Sequence, residues 1–198
     1  MKRYVVGISG ASGAILAIRL IEELANRKNE VEVIISPSGR KTLYYELGSQ
    51  SFKALFSEQN LEYIHTHNIQ AIESSLASGS SPVEATIIVP CSMATIAAIS
   101  IGLADNLIRR VADVALKEKR PLILVPRETP LHTIHLENLL RLSKSGAIIF
   151  PPMPMWYFRP KSIEDLENAL VGKILSYLNI ASTLTQEWTN PDSLQASS

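Results

Sequence analysis

A glycine-rich segment near the amino terminus carries the clearest chemical signal in the sequence. The segment 7–14 has three glycines spaced three residues apart, follows the apolar residues 4–6, and precedes an apolar stripe of helical period over 14–25. A strand, a tight turn and a helix start are therefore predicted. Backbone N–H groups at a helix N-terminus lack intrahelical partners and attract anions, so the turn suits a phosphate group. A tight turn without a ligand is the alternative interpretation.

The glycine spacing also bears on which phosphate ligand would bind. It differs from the G-x-G-x-x-G fingerprint of dinucleotide sites. The second predicted strand, 31–35, is followed by Ser36, whereas dinucleotide sites usually place a carboxylate there to bind the ribose. The pattern therefore favours a mononucleotide such as FMN over NAD.

Charged residues that could bind an anion occur at two places. Arg110, Asp113 and Lys117 are three and four residues apart, so they share one face of a predicted helix. They could form an anion pocket or a solvated charged face, and the pattern alone favours the solvated face. Arg127 and Glu128 directly follow a predicted buried strand, where ligands bind in parallel sheets, and this position favours a functional role over an exposed turn.

Other reactive side chains have ordinary structural interpretations. Cys91 could be an activated thiol at a helix start, but a small buried side chain is favoured. His132 and His135 are one turn apart, and a structural role is favoured over a metal site. Tyr157, in a proline-stiffened apolar loop, could line a pocket or a subunit interface. Lys173 could reach an anion or extend along apolar surface.

The order of the elements predicts an α/β fold, a single Rossmann-like doubly wound parallel sheet with flanking helices. Predicted strands are 3–6, 31–35, 85–90, 121–126 and 147–150. Predicted helices are 14–25, 40–47, 92–101, 106–119, 134–144 and 163–178, with short helical pieces at 52–56 and 69–76. Ser92 is expected to cap one helix and Ser162 with Asp165 another. We expect a domain over 1–180 and a polar tail over 181–198, in which Trp188 could dock on a neighbour.

Composition narrows the class of partner. Nineteen basic and nineteen acidic residues among 198 argue against a nucleic-acid or anionic-membrane surface. The hydrophobic content of 46% comes without a bilayer-length apolar run or an amino-terminal signal segment, which predicts buried strands and a homo-oligomer. A single cysteine fits a reducing cytoplasm.

Five ordered motifs extend the interpretation beyond the glycine turn. They are 7–14, 77–80, 90–95, 105–118 and 125–130, with 135–138 and 155–157 adding to them. Together they resemble the flavin prenyltransferases, which make prenylated FMN for reversible decarboxylases, often in ubiquinone biosynthesis. The resemblance runs from about Tyr4 to Ile180 and implies a Rossmann-like flavoprotein domain over 1–180. It also implies a dodecamer in which FMN lies between subunits.

Carried over by motif, the resemblance implies two binding sites. The implied FMN contacts are Gly10, Ala11, Ser12, Ser36, Ser92, Met93, Ala94, Thr95 and Arg127. The implied dimethylallyl phosphate contacts are Ser78, Gly79, Arg110, Lys117, Tyr157 and Lys173. Lys173 stands where some members have arginine, so a bidentate grip on phosphate is lost there. The segment 59–72 matches the family poorly.

The resemblance also implies the chemistry. The implied catalytic residues are Ser12, Glu46, Arg110, Lys117 and Glu128. Reduced FMN, nucleophilic at N5, takes the C5 group as the allylic C–O bond breaks, and ring closure onto C6 adds a fourth ring. The departing phosphate needs its charge neutralised, which Arg110, Lys117 and Lys173 could do without a metal. Glu128 is expected to protonate phosphate and later accept the ring proton.

Two other functions remain open from the sequence. The FMN-dependent cysteine decarboxylases share this fold but use a histidine early in the chain, and here no histidine precedes His65. A non-catalytic subunit that only carries FMN would not require Arg110, Lys117, Glu128 and Tyr157 together. A prenyltransferase, with a partner decarboxylase as the recipient of its product, is therefore the favoured interpretation.

Overall fold

A six-stranded, all-parallel sheet forms the centre of the molecule. The computed structural model describes residues 1–48 and 51–184. The strands are β1 Arg3–Ile8, β2 Glu30–Ile35, β3 Ile64–His67, β4 Ala85–Cys91, β5 Leu122–Pro126 and β6 Ile148–Ile149. They are ordered β3-β2-β1-β4-β5-β6, so the chain reverses its direction of travel across the sheet after β3 and returns to pair β4 with β1.

Helices follow most strands. The helices are α1 Ala14–Asn26, α2 Pro37–Leu47, α3 Glu58–Leu61, α4 Met93–Ser100, α5 Leu107–Lys117, α6 Thr133–Lys144 and α7 Ile163–Tyr177. Short 3₁₀ turns lie at Lys53–Leu55, Ser75–Ala77 and Trp156–Phe158. The doubly wound parallel fold predicted from the sequence is confirmed.

Helices cover both faces of the sheet. On one face, Val5, Ile34 and Ile88 join a buried cluster with Ile96 of α4 and Val111 of α5. The alternate side chains of β1, β2 and β4 face the other side, where α1 contacts these three strands. Because both faces are covered, the central strands read as continuous apolar runs in the sequence.

Polar side chains cap several of the helices at their N-termini. The hydroxyls of Ser36 and Ser92 accept hydrogen bonds from the N–H groups of Gly39 and Thr95, at 2.9 and 3.3 Å. Asn106 caps α5 in the same way, and Ser162 with Asp165 forms a capping box on α7. The predicted caps at Ser92 and Ser162 are confirmed.

Two parts of the sequence-based assignment are wrong. A helical piece was expected over 69–76, but this stretch contains turns and only the beginning of the 3₁₀ turn at Ser75–Ala77. The edge strand β3 was not predicted. Its four residues are largely polar, and the strand forms because β2 provides backbone partners for it.

The described chain divides into two compact units. The first, Met1–Pro152, holds the whole sheet, and the second begins at Met153 and holds α7. In the described ranges 1–48 and 51–184, every helix is too short or too polar to cross a membrane. Trp188 and the rest of the tail from 185 lie outside the described residues, so the proposed docking of Trp188 and the tail over 181–198 stay predictions.

Candidate active site

The point where the strand order reverses lies between β1 and β4. Open parallel sheets bind ligands beyond the carboxyl ends of the strands at such a point. The turn 9–13 follows β1, Ser92 follows β4, and Arg127 follows β5, the strand beside β4. The sheet order therefore brings together at one edge three segments that are distant in the sequence.

A cavity of about 350 Å³ opens at this edge. Its lining includes five of the expected FMN contacts, Gly10, Ser36, Ser92, Ala94 and Thr95. The caps of three helices, Ser36, Ser92 and Asn106, all line it, so the N-termini of α2, α4 and α5 lie around one space. Convergent N–H groups and hydroxyls favour an anion such as the phosphate of a mononucleotide.

The turn after β1 is held close to its neighbours. A Cβ on Gly10 would lie 2.3 Å from Cβ of Ser38, so only glycine fits at this position. The hydroxyl of Ser9 donates to the carbonyl of Pro90 at 3.0 Å and accepts from the N–H of Ser92 at 2.7 Å. The buried Ser9 therefore ties the β1 turn to the start of α4.

The carboxylate of Glu46 caps α1 from a different helix. Gly13 is the N-cap of α1, with φ of 102°, and has no side chain to satisfy the first N–H groups. Glu46, near the end of α2, accepts from the N–H of Gly13 at 3.0 and 3.1 Å and from the N–H of Ala14 at 2.8 Å. A negative charge at this helix N-terminus is favourable. Glu46 thus anchors the turn that carries Ala11 and Ser12.

The segments 77–80 and 105–118 meet at Gly79. A Cβ on Gly79 would lie 3.1 Å from Nζ of Lys117 and 2.1 Å from Oε1 of Glu118, so the backbone approaches the Lys117 amine closely. The same amine pairs with Glu118 at 3.0 Å. The hydroxyls of Ser78 and Ser80 are 2.8 Å apart beside it. The structure therefore places the backbone at Gly79 next to the Lys117–Glu118 pair, and the assignment of this loop to the donor phosphate stays a prediction.

Arg110 lies two turns before Lys117 on α5. Its Nη1 pairs with Asp113 at 2.9 Å, and both side chains are 40% exposed. Such an exposed pair contributes little to stability, so the guanidinium is available to exchange its carboxylate for another anion.

Arg127 and Glu128 are exposed residues directly after β5. The carboxylate of Glu128 accepts from the N–H of Thr129 at 3.1 Å. Their position at the ligand-binding edge agrees with the expectation from sequence. Their roles in binding FMN and transferring a proton stay predictions.

Tyr157 and Lys173 belong to the second unit. Tyr157 lies in the turn Trp156–Phe158, where its hydroxyl donates to Sδ of Met155 at 3.4 Å. Its ring stacks at an angle on that of Phe158. Lys173 is exposed on α7 between buried residues. The assignment of both residues to the dimethylallyl phosphate site stays a prediction.

The ordinary interpretations of Cys91 and of the histidine pair agree with the structure. Cys91 is fully buried in β4, and burial raises the pKa of its thiol, which disfavours the reactive thiolate. His132 is the N-cap of α6, and its Nδ1 accepts from the N–H of His135 at 3.4 Å. The two rings stack 3.5 Å apart.

Sequence reasoning missed several residues that line the cavity. They are Pro37, Ser38, Ile69, Gln70, Asn106, Ile108 and Arg109. Asn106 could have been found, because the pattern predicted a helix start there and the sheet order brings that start to the ligand edge. Gln70 had no signal, because it lies in the segment 59–72, which matches the family poorly, and the helical piece predicted over 69–76 does not form there.

Comparisons with known proteins agree with this geometry. A family model described as Flavoprotein matches residues 1–187. A Chlamydia pneumoniae relative named flavin prenyltransferase UbiX is 84% identical over 192 residues, covering 97% of this chain and 100% of the relative.

Two solved structures are similar over almost the whole chain. AnUbiX (PadA1) in complex with FMN and dimethylallyl pyrophosphate has a TM-score of 0.88 and 38% identity, covering 96% of this chain and 98% of its own. A dodecameric FMN-dependent Ubix-like decarboxylase from Escherichia coli O157:H7 has a TM-score of 0.87 and 35% identity, covering 95% and 100%.

Proposed function

Because the chain belongs to the flavoprotein family and, within it, to the flavin prenyltransferases, we propose that it joins a dimethylallyl group from dimethylallyl phosphate to N5 and C6 of reduced FMN. The product is prenylated FMN, and a partner decarboxylase would receive it. When bound, reduced FMN supplies a nucleophilic nitrogen and a ring carbon. The residues of the chain bind and orient the flavin, stabilise the negative charge on the departing phosphate and transfer protons.

The first task of the chain is to hold FMN. The cavity at the sheet edge fits its phosphate, because the caps Ser36, Ser92 and Asn106 converge there and Gly10 leaves no side chain in the way. The family motifs assign four more residues to the rest of the FMN molecule: Ala11, Ser12, Met93 and Arg127. The family motif also assigns Ser12 to the reacting centre, and Ser12 lies in the turn that Glu46 anchors.

The second task is to stabilise the departing phosphate. Charge develops on its oxygens as the allylic C–O bond breaks, and fixed cations and N–H donors lower the barrier. Lys117 beside Gly79 would meet this charge directly, with Arg110 two turns away on the same helix. We assign Tyr157 and Lys173 to the same donor, Tyr157 covering the prenyl group and Lys173 the phosphate.

The third task is proton transfer. Glu128 would donate a proton to the released phosphate and later accept the proton displaced from the ring carbon. The proton lost from N5 balances the one that the prenyl C2 gains as its double bond is consumed in ring closure. Its position after β5 places it at the ligand edge, and its carboxylate makes a hydrogen bond to the N–H of Thr129. Replacing Glu128 with Gln is expected to abolish ring closure, and unchanged turnover would contradict this assignment.

The observation that carries this function is the cavity at the carboxyl edge of the sheet, where the N-termini of α2, α4 and α5 converge on a space that suits the phosphate of FMN. The direct test is anaerobic incubation of the protein with reduced FMN and dimethylallyl phosphate, followed by mass spectrometry of the flavin. A flavin heavier by one C5H8 unit supports prenyl transfer. Unmodified FMN would favour the cysteine decarboxylase or the FMN carrier. Parallel reactions with the pyrophosphate test the preference for a monophosphate, since AnUbiX was solved with dimethylallyl pyrophosphate.

We further propose that the chain forms a dodecamer, as the E. coli neighbour does. Exposed apolar side chains on α6 support an assembly, because Leu136 and Leu140, one turn apart on the same face, are 53% and 55% exposed, and Ile134 is 63% exposed. A cytoplasmic location and a contribution to ubiquinone biosynthesis complete the proposal. The contribution to ubiquinone biosynthesis follows the family resemblance, and the single cysteine, which is buried, is consistent with a reducing cytoplasm.

A further inference from the structure

We propose that Arg120 is a positioning residue for the phosphate end of the prenyl donor. This inference rests on the proposed function and deepens it, because Arg120 would act through the loop 78–81 and not by touching the donor. The two loop carbonyls that it binds, those of Gly79 and Ser81, lie 41 and 39 residues before Arg120 in the sequence. Arg120 lies outside all the motifs on which the family resemblance rests.

The guanidinium of Arg120 makes two hydrogen bonds to the loop. Its Nη1 donates to the carbonyl of Ser81 at 2.6 Å, and its Nη2 donates to the carbonyl of Gly79 at 2.5 Å. A planar guanidinium fork fixes both the position and the orientation of what it holds, which a lysine amine does not. Charge-assisted hydrogen bonds of this kind are stronger than those between neutral groups. Arg120 is half-buried, so solvent competes less for these bonds.

The turn that follows α5 places Arg120 next to the loop. The helix ends at Lys117, and Lys119 adopts a left-handed conformation with φ of 55°. The N–H of Arg120 then donates back to the carbonyl of Ala115 at 2.9 Å. One turn of chain therefore carries both Lys117, which faces Gly79 from one side, and Arg120, which binds the Gly79 carbonyl.

Holding the loop in this way keeps carbonyl oxygens engaged that would otherwise repel a phosphate. It also keeps Gly79 against the Lys117 amine and leaves the hydroxyls of Ser78 and Ser80 exposed beside it. A displacement of a positioning group by about 1 Å can lower a reaction rate by about a hundredfold. Loss of Arg120 is therefore expected to weaken donor binding without affecting the flavin cavity, whose lining does not include this loop.

The test compares Arg120→Met and Arg120→Lys with the unchanged protein. The dissociation constant of dimethylallyl phosphate is measured by calorimetry on protein loaded with oxidised FMN, and KM and kcat are measured with reduced FMN. For Arg120→Met we expect the donor dissociation constant and KM to rise about tenfold or more, with the FMN dissociation constant unchanged. Arg120→Lys, which keeps the charge but not the fork, should lie between. Guanidinium added to Arg120→Met should restore part of the donor affinity.

Lys119→Met is the matched control, because it removes a positive charge from the same turn without touching the loop. It should leave donor affinity unchanged. The inference is overturned if Arg120→Met binds dimethylallyl phosphate normally, or if donor and FMN affinity fall together, as general damage to the fold would cause. If the unchanged protein makes no prenylated flavin, the proposed function fails. The calorimetric comparison then still decides whether Arg120 positions a phosphate site.

Discussion

Glu46 offers the sharpest test of how this site is assembled. It is expected to be catalytic by resemblance, yet in the structure its carboxylate accepts hydrogen bonds from the N–H groups of Gly13 and Ala14. These groups begin α1, and Gly13 cannot cap the helix itself. We therefore predict that Glu46 acts mainly as an anchor for the turn bearing Ser12, and that replacing it loosens the flavin site.

The size of the effect follows from the capping geometry. Losing a helix cap costs about 1 kcal/mol, which is about a fivefold change in an equilibrium constant. Glu46→Ala loses every acceptor and should weaken FMN binding by about that factor. Glu46→Gln keeps one acceptor oxygen but loses the charge that favours the helix N-terminus, a contribution of about 0.5 kcal/mol. It should therefore lie between Glu46→Ala and the unchanged protein.

The assay is titration of apoprotein with FMN, followed by quenching of flavin fluorescence, alongside thermal unfolding of the apoprotein. Glu62→Gln is the control, because it makes the same change at an exposed carboxylate outside the turn. The anchoring argument is refuted if Glu46→Gln loses prenyl transfer while its FMN affinity and melting temperature match those of the unchanged protein. That result would make Glu46 a proton donor.

Three further predictions concern the donor site, stability against pH, and assembly. Gly79→Ala should raise KM for dimethylallyl phosphate and leave FMN affinity unchanged, because the new Cβ would lie 2.1 Å from the Glu118 carboxylate and 3.1 Å from the Lys117 amine; a normal KM would show that this contact does not matter. Burial raises the pKa of Glu32, but its hydrogen bond to His67 and the charges of His67, His65 and Arg3 outweigh burial and lower it overall. Ionised Glu32 therefore stabilises the fold above its unfolded pKa, and this stability is lost as pH falls through the lower folded value. Glu32→Gln should accordingly melt at a lower temperature near pH 7, and the difference should shrink below about pH 4; a difference independent of pH would contradict the assignment. Leu140→Asp, on the exposed face of α6, should reduce the mass measured by light scattering without changing the far-UV circular dichroism, whereas an unchanged mass would place the subunit contact elsewhere.

Much of the fold could be predicted because its signals are local. The strands β1, β2, β4 and β5 are buried on both faces, so their apolar runs are continuous and conspicuous. The short edge strand β3 carries His65 and His67, which pair with Glu30 and Glu32 of β2. Its apolar content is low because it is half-exposed, and only the neighbouring strand identifies it.

The candidate site was predictable in its residue types but not in its connections. The motifs pointed to the turn 10–13, Ser92 and Lys117, and the structure places the turn and Ser92 at one sheet edge and Lys117 beside the Gly79 loop. The spacing of Arg110 and Lys117 alone favoured a solvated charged face of a helix. Only the structure shows that the Gly79 backbone lies against the Lys117 amine and the Glu118 carboxylate.

The sequence by itself determined the strongly apolar strands β1, β2, β4 and β5, the main helices, the glycine turn at a helix start and the set of motifs that places the chain in its family. These properties depend on residues close together in the chain, whose spacing reports the helical or strand period directly. The tertiary structure alone decided that Glu46 caps α1 across 33 residues and that Arg120 holds Gly79 across 41. Such pairs depend on which strands are neighbours and how the helices pack on them, and no local pattern encodes that geometry.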